Sequence, residues 1–131
     1  MGIMKALSLR KPWADLIFSG KKTIELRTWT TKLKLPFEVL IQTSSNIDVA
    51  GVKEYGEGSL PRGAIVGKVT IVGIKKYSST EEFLSDSGKH CDNDLSWYKP
   101  GSTYGFILQN PKLLPKPIPY KGRLGFFDVD I

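Results

Sequence analysis

The stretch R-G-A-I-V-G-K-V-T-I-V-G-I-K, from Arg62 to Lys75, decides the fold. Val, Ile and Thr dominate it, and branched side chains fit the pleated, half-buried surface of a strand. Its interior glycines, Gly67 and Gly73, predict bends or bulges, as strands need when a sheet curls into a barrel. Upstream, Gly56, Gly58 and Pro61 interrupt the chain, and residues 37–43, F-E-V-L-I-Q-T, read as another buried strand. Ser44, Ser45 and Asn46 are expected to cap a short helix that runs to about Tyr55. Downstream, S-S-T-E-E-F-L-S-D opens with hydroxyls and acids, the pattern of a short capped helix. Residues 86–102 read as a polar, irregular surface loop. Tyr104–Leu108 and Gly122–Val129 read as the last two strands. The four prolines of N-P-K-L-L-P-K-P-I-P-Y between them argue against a helix interior or a central strand there.

At the other end, residues 4–8 predict a first strand with Met4, Ala6 and Ser8 on one face. Pro12 suits the start of a helix, and Trp13, Leu16 and Ile17 follow at helical spacing. Gly20 is placed to end that helix in a left-handed conformation. The next run, T-I-E-L-R-T-W, alternates: Ile24 and Leu26 face one side, Thr23, Glu25, Arg27 and Trp29 the other. The elements add up to an α+β domain spanning 1–131, a curled sheet or barrel of about six strands with two or three short helices.

No apolar run is long enough for a membrane helix, and M-G-I-M-K has neither the apolar core nor the cleavage site of a signal peptide. Cys91 is the one cysteine, which excludes an internal disulfide and makes a reducing, cytoplasmic location the expectation. The 131 residues carry a formal charge of +6, and its placement is uneven. Up to Leu35 there are eight Lys or Arg against only Asp15 and Glu25, and beyond it eleven basic residues meet eleven acids. A basic first quarter points to a polyanion, nucleic acid or a phosphorylated ligand.

That quarter contains S-G-K-K-T-I-E-L-R, from Ser19 to Arg27. Glu25 and Arg27, two apart on a strand, share a face and can hold each other ionised. Trp29 continues the row, and an indole, a guanidinium and a carboxylate together can stack a base and bond its edge. Lys22 enters from the glycine turn. It can clamp a phosphate or, once desolvated, serve as a base. On a solvated face the same ion pair would contribute little.

G-K-K-T-I-E-L-R resembles the G-x-K-x-x-E-x-R motif of the ASCH family, matching at Gly20, Lys22, Glu25 and Arg27. A-L-S-L-R-K-P-W-A-D-L-I, L-P-R-G-A-I-V-G-K-V-T-I-V and the segment from Tyr104 to Val129 are similar to other blocks of that family. The resemblance implies a PUA-like β-barrel with a cleft between barrel and first helix, lined by the motif residues. It also implies binding of RNA or nucleotides. Some small members hydrolyse the amide of N4-acetylcytidine and others are described as ribonucleases. In the amidohydrolase subgroup a threonine nucleophile stands where this chain has Glu25, which argues against the same mechanism here.

Around the motif, Ser8, Arg10, Trp13, Lys21, Ser44 and Tyr104 complete the expected ligand-binding set with Lys22, Glu25, Arg27 and Trp29. Ser44 and Ser45 would place a helix N-terminus near an anion. The adjacent His90 and Cys91 are too few for a tetrahedral metal site, and neither a metal nor a cofactor is expected. The leading expectation is a module that binds RNA or a modified nucleotide. The alternative is a hydrolase of a modified nucleoside or RNA in which Lys22 and Glu25 activate water. A third reading is a protein-interaction domain that uses residues 111–119 as a docking strip.

Overall fold

In the computed structural model, which describes residues 2–131, the Val- and Ile-rich stretch becomes β4 (Ala64–Tyr77) and pairs along both edges. The chain runs β1 (Ile3–Lys11), α1 (Trp13–Phe18), β2 (Ile24–Arg27), β3 (Phe37–Ile47), α2 (Val49–Tyr55), β4, α3 (Thr80–Ser85), α4 (Ser87–His90), β5 (Thr103–Pro119) and β6 (Phe126–Asp130). The six strands form one sheet in the order β2-β5-β4-β3-β1-β6. β1 and β3 are parallel, and every other pairing is antiparallel. Among the described residues four short helices, one of them a single turn, complete an α+β fold.

The sheet curls, and side chains rather than hydrogen bonds bring its ends together. Trp29, just past β2, sits edge-on against Phe126 of β6 at 5.3 Å and against Phe106 of β5 at 5.6 Å. Phe126 also stacks on Phe106 at 5.9 Å. The predicted glycine irregularities appear where β4 meets β5, whose register shifts beside Gly67 and Gly73. A side chain at Gly67 would strike the Phe18 ring and the Lys112 carbonyl, so its absence lets α1 lie close to the sheet. Ile17 of α1 joins Leu7, Leu9, Ile41, Val69 and Phe106 of the sheet in the buried core.

Three expectations need correction. Ser44, Ser45 and Asn46 do not cap a helix: they extend β3, and Asp48 caps α2 by accepting the Gly51 amide at 3.2 Å. β3 stays paired with β1 as far as Ile47, opposite Lys11, so the first residue free to cap a helix is Asp48. The proline-rich segment is not a separate connection. β5 continues through it to Pro119, and its register against β4 jumps between Gln109 and Lys112 and again between Leu113 and Ile118. Pro111, Pro115 and Pro117 fall in those jumps, where the ladder needs no N–H from them. β2 pairs only with residues 104–107, so this part of β5 has a free outer edge. Residues 86–102 are not wholly an exposed loop. They contain α4 and send His90, Cys91 and Tyr98 into the interior.

Candidate functional site

β2, only four residues long, carries Glu25 and Arg27. Gly20, at φ 86°, makes the left-handed turn expected of it, and the amides of Lys21 and Lys22 both donate to the Leu16 carbonyl. The chain then reverses into β2 with Lys22 turned inward, 3% exposed. Lys22 Nζ donates to the His90 carbonyl at 2.6 Å and lies 3.4 Å from Glu25 Oε1. The other carboxylate oxygen, Oε2, is 3.0 Å from Arg27 Nη2. The same Nη2 donates to the Ser8 carbonyl of β1 at 2.8 Å. Glu25 therefore bridges two cations, one per oxygen, and Arg27 ties the row to the far side of the sheet.

Burial pulls the Lys22 amine below the usual lysine value, and the Glu25 charge pulls in the opposite direction. The indole of Trp13 lies 5.0 Å beneath the amine and gives it further cation–π support. Asp92 faces the same space. Its burial pushes its carboxyl above the usual aspartate value, while its hydrogen bond from the Asp94 amide and the Lys22 charge oppose this. His90 is held neutral. Its Nδ1 accepts the Asp92 amide at 3.1 Å, so the proton sits on Nε2, which donates to the Phe83 carbonyl at 2.8 Å.

Lys22, Glu25, Arg27, Trp13 and Asp92 line a cleft of about 1070 Å³, with His90 buried behind them. Eight of the ten expected ligand-binding residues border it: Ser8, Arg10, Trp13, Lys22, Glu25, Arg27, Trp29 and Ser44. Lys21 and Tyr104 do not. Lys21 is exposed with its amine 4.9 Å over the Tyr55 ring, and Tyr104 packs against the core as the register partner of Arg27. Ser44 borders the cleft from a strand, not from a helix N-terminus. Sequence reasoning missed Asp48, Asp92, Trp97, Lys121, Arg123 and Leu124, which also line it. All six lie outside the helices and strands, with no periodicity to mark them. A count of tryptophans could have pointed to Trp97, because all three in the chain border this one cleft.

The basic first quarter does not become a bare positive face. Lys5, Arg10, Lys11, Lys22 and Arg27 all make ion pairs, leaving Lys21, Lys32 and Lys34 without one among the described residues. Much of the cleft's unpaired charge is instead on Lys121 and Arg123, from the charge-balanced part of the sequence.

Residues 7–115 match the sequence profile of the ASCH domain. The chain belongs to the ASCH domain family. Solved structures agree on the fold: the ASCH protein of Zymomonas mobilis superposes with a TM-score of 0.65 at 17% identity, covering 88% of this chain and 72% of that one. A variant of the same Zymomonas mobilis protein, with a tyrosine replaced by phenylalanine, gives 0.63 at 16% identity, covering 88% and 74%. This ASCH chain is also 24% identical to activating signal cointegrator 1 of Mus musculus and of Homo sapiens over 136 residues, 95% of its own length. It spans 22% of the length of those two relatives. Among the described residues no helix is long and apolar enough to cross a membrane.

Proposed function

We propose that the cleft binds RNA or a nucleotide, holding a base against its tryptophans and reading the base edge with the Lys22–Glu25–Arg27 row. One observation carries this reading: all three tryptophans border the space into which that ion-paired row faces. Indoles supply stacking surface to any base, and the polar row supplies both donors and acceptors. Intrinsic fluorescence tests it directly, because every tryptophan is at the site. Titration with short single-stranded RNAs at low salt is expected to quench the emission, and Arg27→Ala to weaken binding at least tenfold. Unchanged emission with every RNA and nucleotide tried would sink the reading.

Binding is favoured over hydrolysis by the state of Glu25. Each of its oxygens already faces a cation, at 3.4 Å and 3.0 Å, so the carboxylate acts as a bridge more readily than as a base aimed at water. A hydrolase reading predicts turnover of a modified nucleoside that Glu25→Gln abolishes while binding survives. A protein-contact reading draws on the free edge of β5, where Leu113 and Ile118 are exposed, and on relatives named as cointegrators. A pull-down with and without ribonuclease separates it from RNA binding.

A further inference from the structure

The segment from Lys121 to Gly125 borders the cleft and is not part of the motif; the strand expected from Gly122 begins only at Phe126, so residues 121–125 form a loop. Lys121 and Arg123 are exposed, and neither makes an ion pair among the described residues. Leu124, between them and Gly125, is 99% exposed, the most exposed large apolar side chain described. Two cations and a bare leucine at the mouth of a cleft with tryptophan walls are what a polyanion with apolar sugar and base faces would meet.

The segment is also held in place. Buried Gln42 donates from Nε2 to the Tyr120 carbonyl at 2.7 Å and accepts the Ser8 hydroxyl at its Oε1, also at 2.7 Å. A side chain at Gly122 would run into both Ser8 Oγ and Gln42 Oε1, so the loop lies directly on that pair. Ser8 is the residue whose carbonyl receives Arg27. A continuous chain of contacts thus links Lys22, Glu25, Arg27, Ser8 and Gln42 to the base of the loop, fixing its distance from the motif.

We propose that Lys121–Gly125 is a second contact arm for single-stranded RNA, in which Lys121 and Arg123 take phosphates flanking the base in the cleft and Leu124 packs on the adjoining nucleotide. This rests on the RNA-binding reading and narrows it: the ligand is an oligonucleotide, and a free nucleotide fills only part of the site. Gln42 and Gly122 are positioning residues for the arm.

The test uses the full chain, tryptophan fluorescence, nucleoside 5′-monophosphates and mixed-sequence RNA pentamers, at salt concentrations from about 50 to about 200 mM. Pentamers are expected to bind at least tenfold more tightly than monophosphates. The double variant Lys121→Ala, Arg123→Ala should lose that advantage. Its plot of log affinity against log salt should flatten by about 1.4, since each phosphate contact on a single strand contributes about 0.7. Exchanging the two residues, Lys121→Arg with Arg123→Lys, should restore both. Gly122→Ala, whose side chain would push the loop off Ser8 and Gln42, should flatten the slope and weaken pentamer binding while monophosphate binding holds, and equal losses for both would overturn its positioning role. Equal affinity for pentamers and monophosphates, or an unchanged slope in the double variant, overturns the arm. If Arg27→Ala abolishes binding in that same case, the cleft reading stands without the arm. Absence of binding by any probe overturns both.

Discussion

Two lysines in the first quarter of the chain are almost fully buried, and each faces a carboxylate three or four residues on. Lys11 is 1% exposed and pairs with Asp15 Oδ1 at 2.9 Å; Lys22 is 3% exposed and pairs with Glu25 Oε1 at 3.4 Å. By composition they are the same device, but their surroundings differ. Lys11 also donates to the Leu60 carbonyl, and Asp15 accepts the Leu60 amide at 3.0 Å, so this pair fastens α1 to the loop before β4. Lys22 borders the cleft, and its partner Glu25 is shared with Arg27, which is part-exposed to it. One pair is spent on holding two segments together. The other keeps polar atoms facing open space. A buried ion pair is weak evidence of function until the space beside it is known.

The largest effect expected from this comparison comes from breaking each pair. Lys11→Met strands the nearly buried Asp15 carboxylate and the Leu60 carbonyl and should lower unfolding free energy by about 3–5 kcal/mol, whereas Lys22→Met strands the His90 carbonyl but leaves Glu25 paired with Arg27 and should cost about 1–3 kcal/mol. Urea denaturation measures this. The folded fraction of Lys11→Met should keep its affinity for RNA, and that of Lys22→Met should lose it. Equal losses of affinity would erase the distinction.

A smaller effect concerns pH, and it reaches only the second pair. The His90 carbonyl receives Lys22, while the ring is buried and its pKa is lowered from 6.5, chiefly by burial. The Lys22 charge adds to the lowering, and the Phe83 carbonyl and Asp86 oppose it. With the folded value below the unfolded one, the unfolded chain takes up a proton first as pH falls. The stability contributed by neutral His90 is therefore present above about pH 6.5 and lost as pH drops through the folded value. Stability should decline as pH falls from about 7.5 towards about 5.5, at no more than about 1.4 kcal/mol per pH unit for one proton. His90→Gln should flatten that decline, and Lys11→Met should leave it intact. An unchanged decline in His90→Gln would remove the histidine from the account.

The smallest effect is at the turn that feeds Lys22. Gly20 has φ 86° and open space where a side chain would go, so Gly20→Ala meets backbone strain but no clash. The expected cost is about 1 kcal/mol, read as a lower thermal midpoint. A cost several times larger would mean that the turn holds more of the fold than its contacts imply.

The family motif was legible because its parts are local. A glycine turn and a four-residue strand place Lys22, Glu25 and Arg27 by rules of period and turn geometry, and alternation put Trp29 near the same row. The strands were legible for the same reason, except where prolines concealed the bulges of β5 and where the last strand starts at Phe126 rather than at Gly122. Ser44 was expected in the right neighbourhood on the wrong element, since hydroxyls that suit a helix cap also fit the end of a strand. Trp97, Asp92, Lys121 and Arg123 gave no local signal.

By itself, the sequence determined most of the strands, the helix after Pro12, the ASCH motif and the presence of an ion-paired row on one strand face. All of these follow from interactions between residues a few positions apart. The tertiary structure alone decided which buried lysine faces a cleft and which fastens a loop. It also brought three tryptophans from separate segments around one space, and added Lys121 and Arg123 to the ion-paired Arg10, Lys22 and Arg27 of the first quarter. Such juxtapositions depend on how the sheet curls and what its loops rest on, and residues far apart in the chain leave no trace of that in their spacing.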